Sequence, residues 1–333
     1  MTISLNTQSL SAMVDAELQD IIKARDVPLY GMMSYHMGWT DAPGHTDPPL
    51  PKEHSLGALC LLACNAVGGN IETAIPGAAS VELVNNFTQI HDDVQSGVPM
   101  RANRDALWWV WGPAQAINAG DGMHALARLA LFRLLEHGVS ADVTFRAVRL
   151  MDEASLSTCE GRFMDMEAQE RLELTLDAYL RMAAKKNGSL LAGALKLGSH
   201  IGAGNDDSLE AFQECGTNLG VALQVQADVN EFWAASPSPE VMNKKKLLPI
   251  VFALEKASVG DKRRLGEVYY KRVLDADDVV KVQEVVESLG VKEACSDIVS
   301  QRFADGISVL DRPEISAEGR SSIEALVKQL LGI

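Results

Sequence analysis

Apolar residues recur along the chain at spacings of three and four, as in Leu126, Leu129, Ala130 and Leu134, and again in Leu190, Leu191, Leu195 and Leu197. That period puts an apolar stripe on each helix, and the alternation that marks half-buried strands is scarce. The pattern predicts an all-α protein. Ser140 and Ser316 stand where helix N-caps are expected, and Gly68-Gly69 and Gly138 where helices should stop. Prolines gather between Pro43 and Pro51 and in Pro237-Ser238-Pro239, which predicts a long loop before the Leu56 helix and a surface loop after Trp233. Helical patterning resumes after each loop, so the economical organisation is one helical domain over 1–333. Within it are an N-terminal helix in 1–25, a proline-rich loop over 41–56, and core and C-terminal helices over 57–333.

With 333 residues, 47% of them hydrophobic and 23% charged, the chain can bury a large core unaided. Its 30 basic and 45 acidic residues give a formal charge of −15, a field that repels nucleic acid and anionic membranes. An anionic substrate must therefore meet a local basic cluster or metal ions. The five cysteines, at 60, 64, 159, 215 and 295, form no C-x-x-C pair and are expected as reduced, mostly buried thiols. The most apolar stretch, Leu56 to Val67, is too short to span a bilayer, and the first residues lack the basic-then-apolar order of a signal peptide. A soluble, cytoplasmic protein is the expectation.

The sharpest chemical feature is His91-Asp92-Asp93-Val94-Gln95-Ser96-Gly97, followed by Arg101 and Arg104, at the end of an apolar helix through Val81, Leu83, Val84 and Phe87. Adjacent carboxylates repel unless a cation neutralises them, so the pair points to a hard divalent ion; a solvated helix end would present the same residues. Ser96 lies one turn beyond Asp92, on the same face. Gln224, Asp228 and Glu231 fall at i, i+4 and i+7, which sets an amide and two carboxylates on one face of a second apolar helix. Such groups need partners, either a ligand or a hydrogen-bonded core network. By local rules Asn187-Gly188 reads as a turn that would break the helix beside Lys186.

Several stretches carry a resemblance to a known family. They are Glu82-Leu83-Val84-Asn85-Asn86-Phe87, His91 through Gln95, Trp108-Trp109-Val110-Trp111-Gly112, Gly161-Arg162-Phe163-Met164-Asp165, Lys186-Asn187-Gly188, the helix from Gln224 to Glu231, and Lys244 through Pro249. In this order the chain resembles the trans-isoprenyl diphosphate synthases over nearly its whole length. The resemblance implies the isoprenoid synthase fold, a single helical bundle around a deep apolar cavity with two aspartate-rich helices facing each other across its mouth. It implies magnesium, up to about three ions, gripping the diphosphate of an allylic substrate whose departure leaves a carbocation. By position, Asp92, Asp93 and Asp228 are the implied catalytic carboxylates, and Asp92, Asp93, Ser96, Asp228 and Glu231 the implied metal ligands. Arg101, Lys186, Gln224 and Lys245 match groups that contact or support the allylic diphosphate, and Phe87 matches the residue that sets pocket depth. A homodimer is implied as well.

The departures from the family are equally specific. Ser96 stands where the first motif ends in Asp and Ala227 where the second opens with one, so fewer ions are expected if these changes cost a site. Where relatives carry a Gly-Lys-Arg-x-Arg-Pro run for isopentenyl diphosphate, this chain has Lys52, Glu53, His54, Ser55, Leu56 and Gly57. Where they have two arginines after the first motif, it has Arg101 and Ala102. Each charge-assisted phosphate contact is worth about 1.5–3 kcal/mol, so these losses predict a second-substrate site weakened by several orders of magnitude, with Lys52 as a partial substitute. The sequence therefore favours a class I terpene cyclase. In that chemistry the cation from a prenyl diphosphate of roughly ten to twenty carbons attacks its own chain, or captures water, in a dry cavity. A chain-elongating prenyltransferase of the geranylgeranyl or farnesyl diphosphate synthase type is the alternative, and a non-catalytic prenyl-diphosphate-binding subunit is a third. Trp108, Trp109, Trp111, Phe87, Phe232 and Trp233 are candidate faces for a migrating cation or else packing groups. His91 is a candidate base or a hydrogen-bonded structural group.

Overall fold

The computed structural model describes residues 6–42, 53–171, 174–237, 239–269, 271 and 273–333. Lys52 and most of the proline-rich loop lie outside the described residues. The chain divides into two compact units, and all but one of the divisions fall inside helices.

The first unit comprises residues 1–155, 193–213 and 310–326. It contains α1 (Thr7–Lys23), α2 (Pro28–His36), α3 (Ser55–Ala66), α4 (Ile71–Ser96), the hairpin β1 (Met100–Arg101) and β2 (Arg104–Asp105), α5 (Leu107–Trp111), α6 (Pro113–Phe132) and the start of α7 (Ala141–Glu170). Helix α4 packs against α3 and α6, burying Ala74, Ala78, Ala79, Val81, Leu83 and Val84. Its start is fixed by Asn70, whose side chain accepts from the Glu72 amide, and its end by Gly97, which takes the left-handed conformation at φ 63°. The last turn of this long helix therefore carries Asp92, Asp93 and Ser96. Ser140 and Ser316 cap their helices as expected, accepting from the amides of Val143 and Gly319. The two-residue strands are the one departure from an all-helical chain among the described residues. They join through Ala102 and Asn103, both at positive φ (49° and 61°), a turn without the glycine that usually signals one.

One buried charge cluster ties α1, α3 and α4 together. His54, at the N-terminus of α3, is fully buried. Its Nε2 lies 3.1 Å from Asp15 Oδ1, and its Nδ1 is 3.7 Å from Glu82 Oε2, an ion-pair distance. Burial opposes the imidazolium, but the hydrogen bond to Asp15 and the Glu82 carboxylate outweigh it and hold the His54 pKa up at about 9. In the unfolded chain the ring titrates near 6.5, so below that pH both states are protonated and the full contribution, about 3 kcal/mol, is present. Between 6.5 and about 9 the contribution fades, and above about 9 it is gone. Urea unfolding at about pH 6, 7.5 and 9.5 is expected to show falling stability, with a slope that His54→Gln flattens. An unchanged slope in that variant would refute the ion cluster.

The second unit comprises residues 156–192, 214–309 and 327–333. It contains the rest of α7, α8 (Leu176–Ala183), a π-helical turn (Ala184–Gly188), the start of α9 (Ser189–Ala203), most of α10 (Leu209–Phe232), and α11 (Pro239–Met242) through α12 (Leu248–Lys256), α13 (Val259–Tyr269), α14 (Ala276–Ser288) and α15 (Val291–Ser308). The C-terminal end of α16 (Ala317–Leu331) completes it. Helix α12 packs on α8, α14 and α15. The turn expected at Asn187-Gly188 is not formed; the chain widens by one π-turn and runs on into α9. The glycine serves helix contact instead. A Cβ on Gly188 would lie 3.0 Å from the Thr217 carbonyl oxygen, and one on Gly220 would lie 2.5 Å from the Gly188 Cα. Across the chain, Cys60, Cys64, Cys215 and Cys295 are buried thiols and Cys159 is exposed. Among the described residues no helix is long and apolar enough to cross a membrane.

Candidate functional site

In the first unit the last turn of α4 and the hairpin meet. Asp93 is buried and accepts from Arg101 through both Nε, at 3.0 Å, and Nη2, at 2.6 Å. Asp92 is half-buried beside it. Two acids in the C-terminal turn of a helix stand against the negative end of its dipole, a placement that costs stability unless cations compensate. Arg101 supplies one such charge. Phe87, one turn earlier, is 8% exposed and packs edge-on against His91 and at a tilt against His124, with ring centroids 4.9 Å apart in both pairs. Burial lowers the His124 pKa, which favours the neutral ring. His91 lies 3.3 Å from the Ile117 carbonyl and 3.6 Å from Asp121, as a structural histidine would. Of the tryptophans, Trp108 donates to the Val98 carbonyl, Trp111 packs on Tyr35, and Trp109 is 60% exposed.

Next to the Asp93–Arg101 pair opens a pocket of about 410 Å³, whose wall includes Tyr35, Glu53, Gln89, Arg104 and Ala102. Of the altered positions, Glu53 and Ala102 line this pocket, whereas His54 is withdrawn into the core. Arg104 brings a cation that position-by-position comparison did not assign. It donates to the Thr40 carbonyl at 2.6 Å and lies over the Tyr35 ring, 4.4 Å from its centroid.

In the second unit α10 carries Gln224, Asp228 and Glu231. Asp228 is buried, and its oxygens are taken by protein donors: Tyr179 Oη at 2.5 Å and the Leu248 amide at 2.8 Å on Oδ2, and Gln224 Nε2 at 2.6 Å on Oδ1. Burial pushes its carboxyl up to about 6 against the pull of those hydrogen bonds and of Lys186. Gln224 in turn accepts from Asn187 in the π-turn. Lys186 is buried against Asp165 at 2.5 Å, and Lys245 pairs with Glu240 at 2.5 Å. Glu231 is half-buried. All three cations implied as phosphate contacts thus hold a carboxylate.

A family model described as polyprenyl synthetase matches residues 54–288. The chain belongs to the polyprenyl synthetase family. It is 32% identical over 289 residues to the geranylgeranyl diphosphate synthase of Mycobacterium tuberculosis, covering 84% of this chain and 81% of that protein. The crystal structure of a polyprenyl synthetase from Streptomyces coelicolor A3(2) matches with a TM-score of 0.86 at 28% identity, over 98% of this chain and 99% of that one. A geranylgeranyl pyrophosphate synthase from Corynebacterium glutamicum, crystallised with isoprenyl diphosphate and magnesium, gives 0.83 at 17% identity over 98% and 99%, a likeness of fold alone. The all-α isoprenoid synthase fold expected from the resemblance is thereby established. The relatives support the chain-elongating alternative better than the cyclase that the sequence favours.

Among the described residues of this polyprenyl synthetase no three acidic, histidine or cysteine side chains converge on a metal-sized point. Magnesium does not require that, since it is commonly held by one or two carboxylates with phosphate oxygens and water. Asp92 and Asp93, with the Ser96 hydroxyl one turn on, fit such a role. Asp228 does not fit it in this structure, because three protein donors occupy its oxygens; Glu231 is the carboxylate of that motif left with some exposure.

Proposed function

We propose that this polyprenyl synthetase ionises an allylic prenyl diphosphate, of roughly ten to twenty carbons, with magnesium held at Asp92 and Asp93; the double bond of isopentenyl diphosphate then attacks the allylic cation, and the new cation loses a proton to the released diphosphate to give the longer alkenyl diphosphate. The observation that supports the second step is the pocket of about 410 Å³ beside Asp93, whose lining includes Arg101 and Arg104. The ion supplies charge neutralisation for the departing diphosphate. Arg101 can move from Asp93 to a phosphate oxygen without stranding a buried carboxylate only if another cation takes its place, a loss that would otherwise cost about 3–5 kcal/mol. Binding of diphosphate and of metal are therefore coupled. Lys186, Gln224 and Lys245 are proposed as further contacts or supports of the allylic diphosphate, and Phe87 as a limit on chain length. With Glu53 and Ala102 where relatives have basic residues, KM for isopentenyl diphosphate is expected to exceed that for the allylic substrate by at least about tenfold. A cytoplasmic homodimer belongs to the same proposal; in the second unit α7 exposes Leu156 and Phe163, two turns apart, as candidate packing groups for the dimer.

A one-substrate cyclase or synthase is the second reading, favoured by the acid in the pocket wall and by the withdrawal of His54. Incubation with magnesium and geranyl, farnesyl or geranylgeranyl diphosphate, each alone and then with isopentenyl diphosphate, separates the readings. Turnover only in the presence of isopentenyl diphosphate is expected. A hydrocarbon or alcohol from one substrate alone would overturn elongation in favour of the cyclase, and silence in every tube would leave a prenyl-diphosphate-binding subunit.

A further inference from the structure

Arg101 and Arg104 are direct cross-strand partners in the hairpin. Like charges opposite each other across a strand pair destabilise it. The turn between them adds a second local penalty, because Ala102 occupies the left-handed region at φ 49° and carries a Cβ. Strain of this kind persists where surrounding structure enforces it, and it gathers at ligand-binding positions. Here both arginines line one pocket.

The two arginines differ in how their charge is met. Arg101 holds the buried Asp93 carboxylate with two of its nitrogens. Arg104 meets the Thr40 carbonyl and Tyr35, through both its ring face and its hydroxyl, and neither group bears a full negative charge. Those contacts fix the plane of the guanidinium. Tyr35 is itself held, by donation from its hydroxyl to the Asp105 carbonyl at 2.9 Å and by the edge contact with Trp111. A planar, immobilised fork with one donor spent on a carbonyl matches phosphate oxygens well. Gln89 lies one turn before Asp93 on α4 and lines the same pocket, so the wall runs from Arg104 to the metal-binding turn. Glu53, on the same wall, opposes an anion.

We infer that Arg104 is the specificity-determining cation of this pocket, anchoring the diphosphate of the second substrate in place of the basic residues absent at positions 53, 54 and 102. The inference rests on the elongation reading for its ligand, an alkenyl diphosphate that is not the one ionised. Glu53 sets the affinity low, and Arg104 makes binding possible.

Titration calorimetry of isopentenyl diphosphate on the full chain tests it directly. Arg104→Gln is expected to weaken binding at least about tenfold, Arg104→Lys to weaken it less, and Glu53→Gln to tighten it about threefold or more. KM for the allylic diphosphate and the urea midpoint should stay within experimental spread for Arg104→Gln, which separates anchoring from damage to the hairpin. Equal affinity in wild type and Arg104→Gln, an equal loss for the allylic substrate, or no binding by the wild type would each overturn the assignment. Binding that depends on Arg104 without any elongation activity would instead keep the anchor and reject the proposed reaction.

Discussion

Asp92→Ala is expected to cut the rate of diphosphate release from an allylic substrate by about a thousandfold or more, which corresponds to about 4 kcal/mol of lost transition-state stabilisation. The carboxylate sits half-buried in the last turn of α4, beside an Asp93 whose oxygens already carry Arg101. Asp92 is the more exposed acid of the pair, and its loss leaves charge on the departing group poorly compensated. Folding should hardly notice, because a half-exposed acid at a helix C-terminus contributes little and opposes the dipole. Initial rates at saturating magnesium, together with urea unfolding, provide the check. A variant that keeps a tenth of the wild-type rate, or one that loses its rate only because it no longer folds, would remove the metal assignment.

Asp228→Ala should act in the opposite way, through stability. Truncation leaves the Tyr179 hydroxyl and the Leu248 amide buried without their acceptor, and one half-buried Gln224 N–H without its own. Each orphaned buried donor costs about 1–3 kcal/mol, and partial relaxation brings the expected total to about 3–5 kcal/mol. The loss should be the same with magnesium and with chelator, since the three donors belong to the protein. Urea midpoints measured in both conditions decide the matter. A variant as stable as wild type in chelator, but deprived of stabilisation by magnesium, would restore Asp228 as a metal ligand.

The helices, their caps and the acid pair at the end of α4 were legible because each rests on neighbours within one or two turns. Ser140, Ser316 and Gly97 act through local hydrogen bonds and backbone angles that spacing announces. The altered sites were legible only as substitutions. That His54 turns into the core depends on Asp15 and Glu82, which lie far from it in the chain and close in space. The saturation of Asp228 likewise depends on Tyr179 and Leu248, on two other helices. Arg104 stands in the sequence as a nearby cation without a role, because Ala102-Asn103 lacks the glycine of a familiar hairpin turn and nothing marks the register that brings it opposite Arg101. At Asn187-Gly188 the local rule for turns lost to helix packing, where the missing Cβ admits Thr217.

That π-turn also bears on how this chain tolerates changes of length. Each residue rotates an α-helix by about a hundred degrees, so the surplus residue between Ala184 and Gly188 resets the azimuth of everything that follows. Deleting it would shorten the rod by a trifle yet swing the α9 side chains to new bearings, and Lys186, now buried, would point elsewhere. A single-codon deletion that the outer loops would absorb becomes, at this point, a phase slip through half the helix.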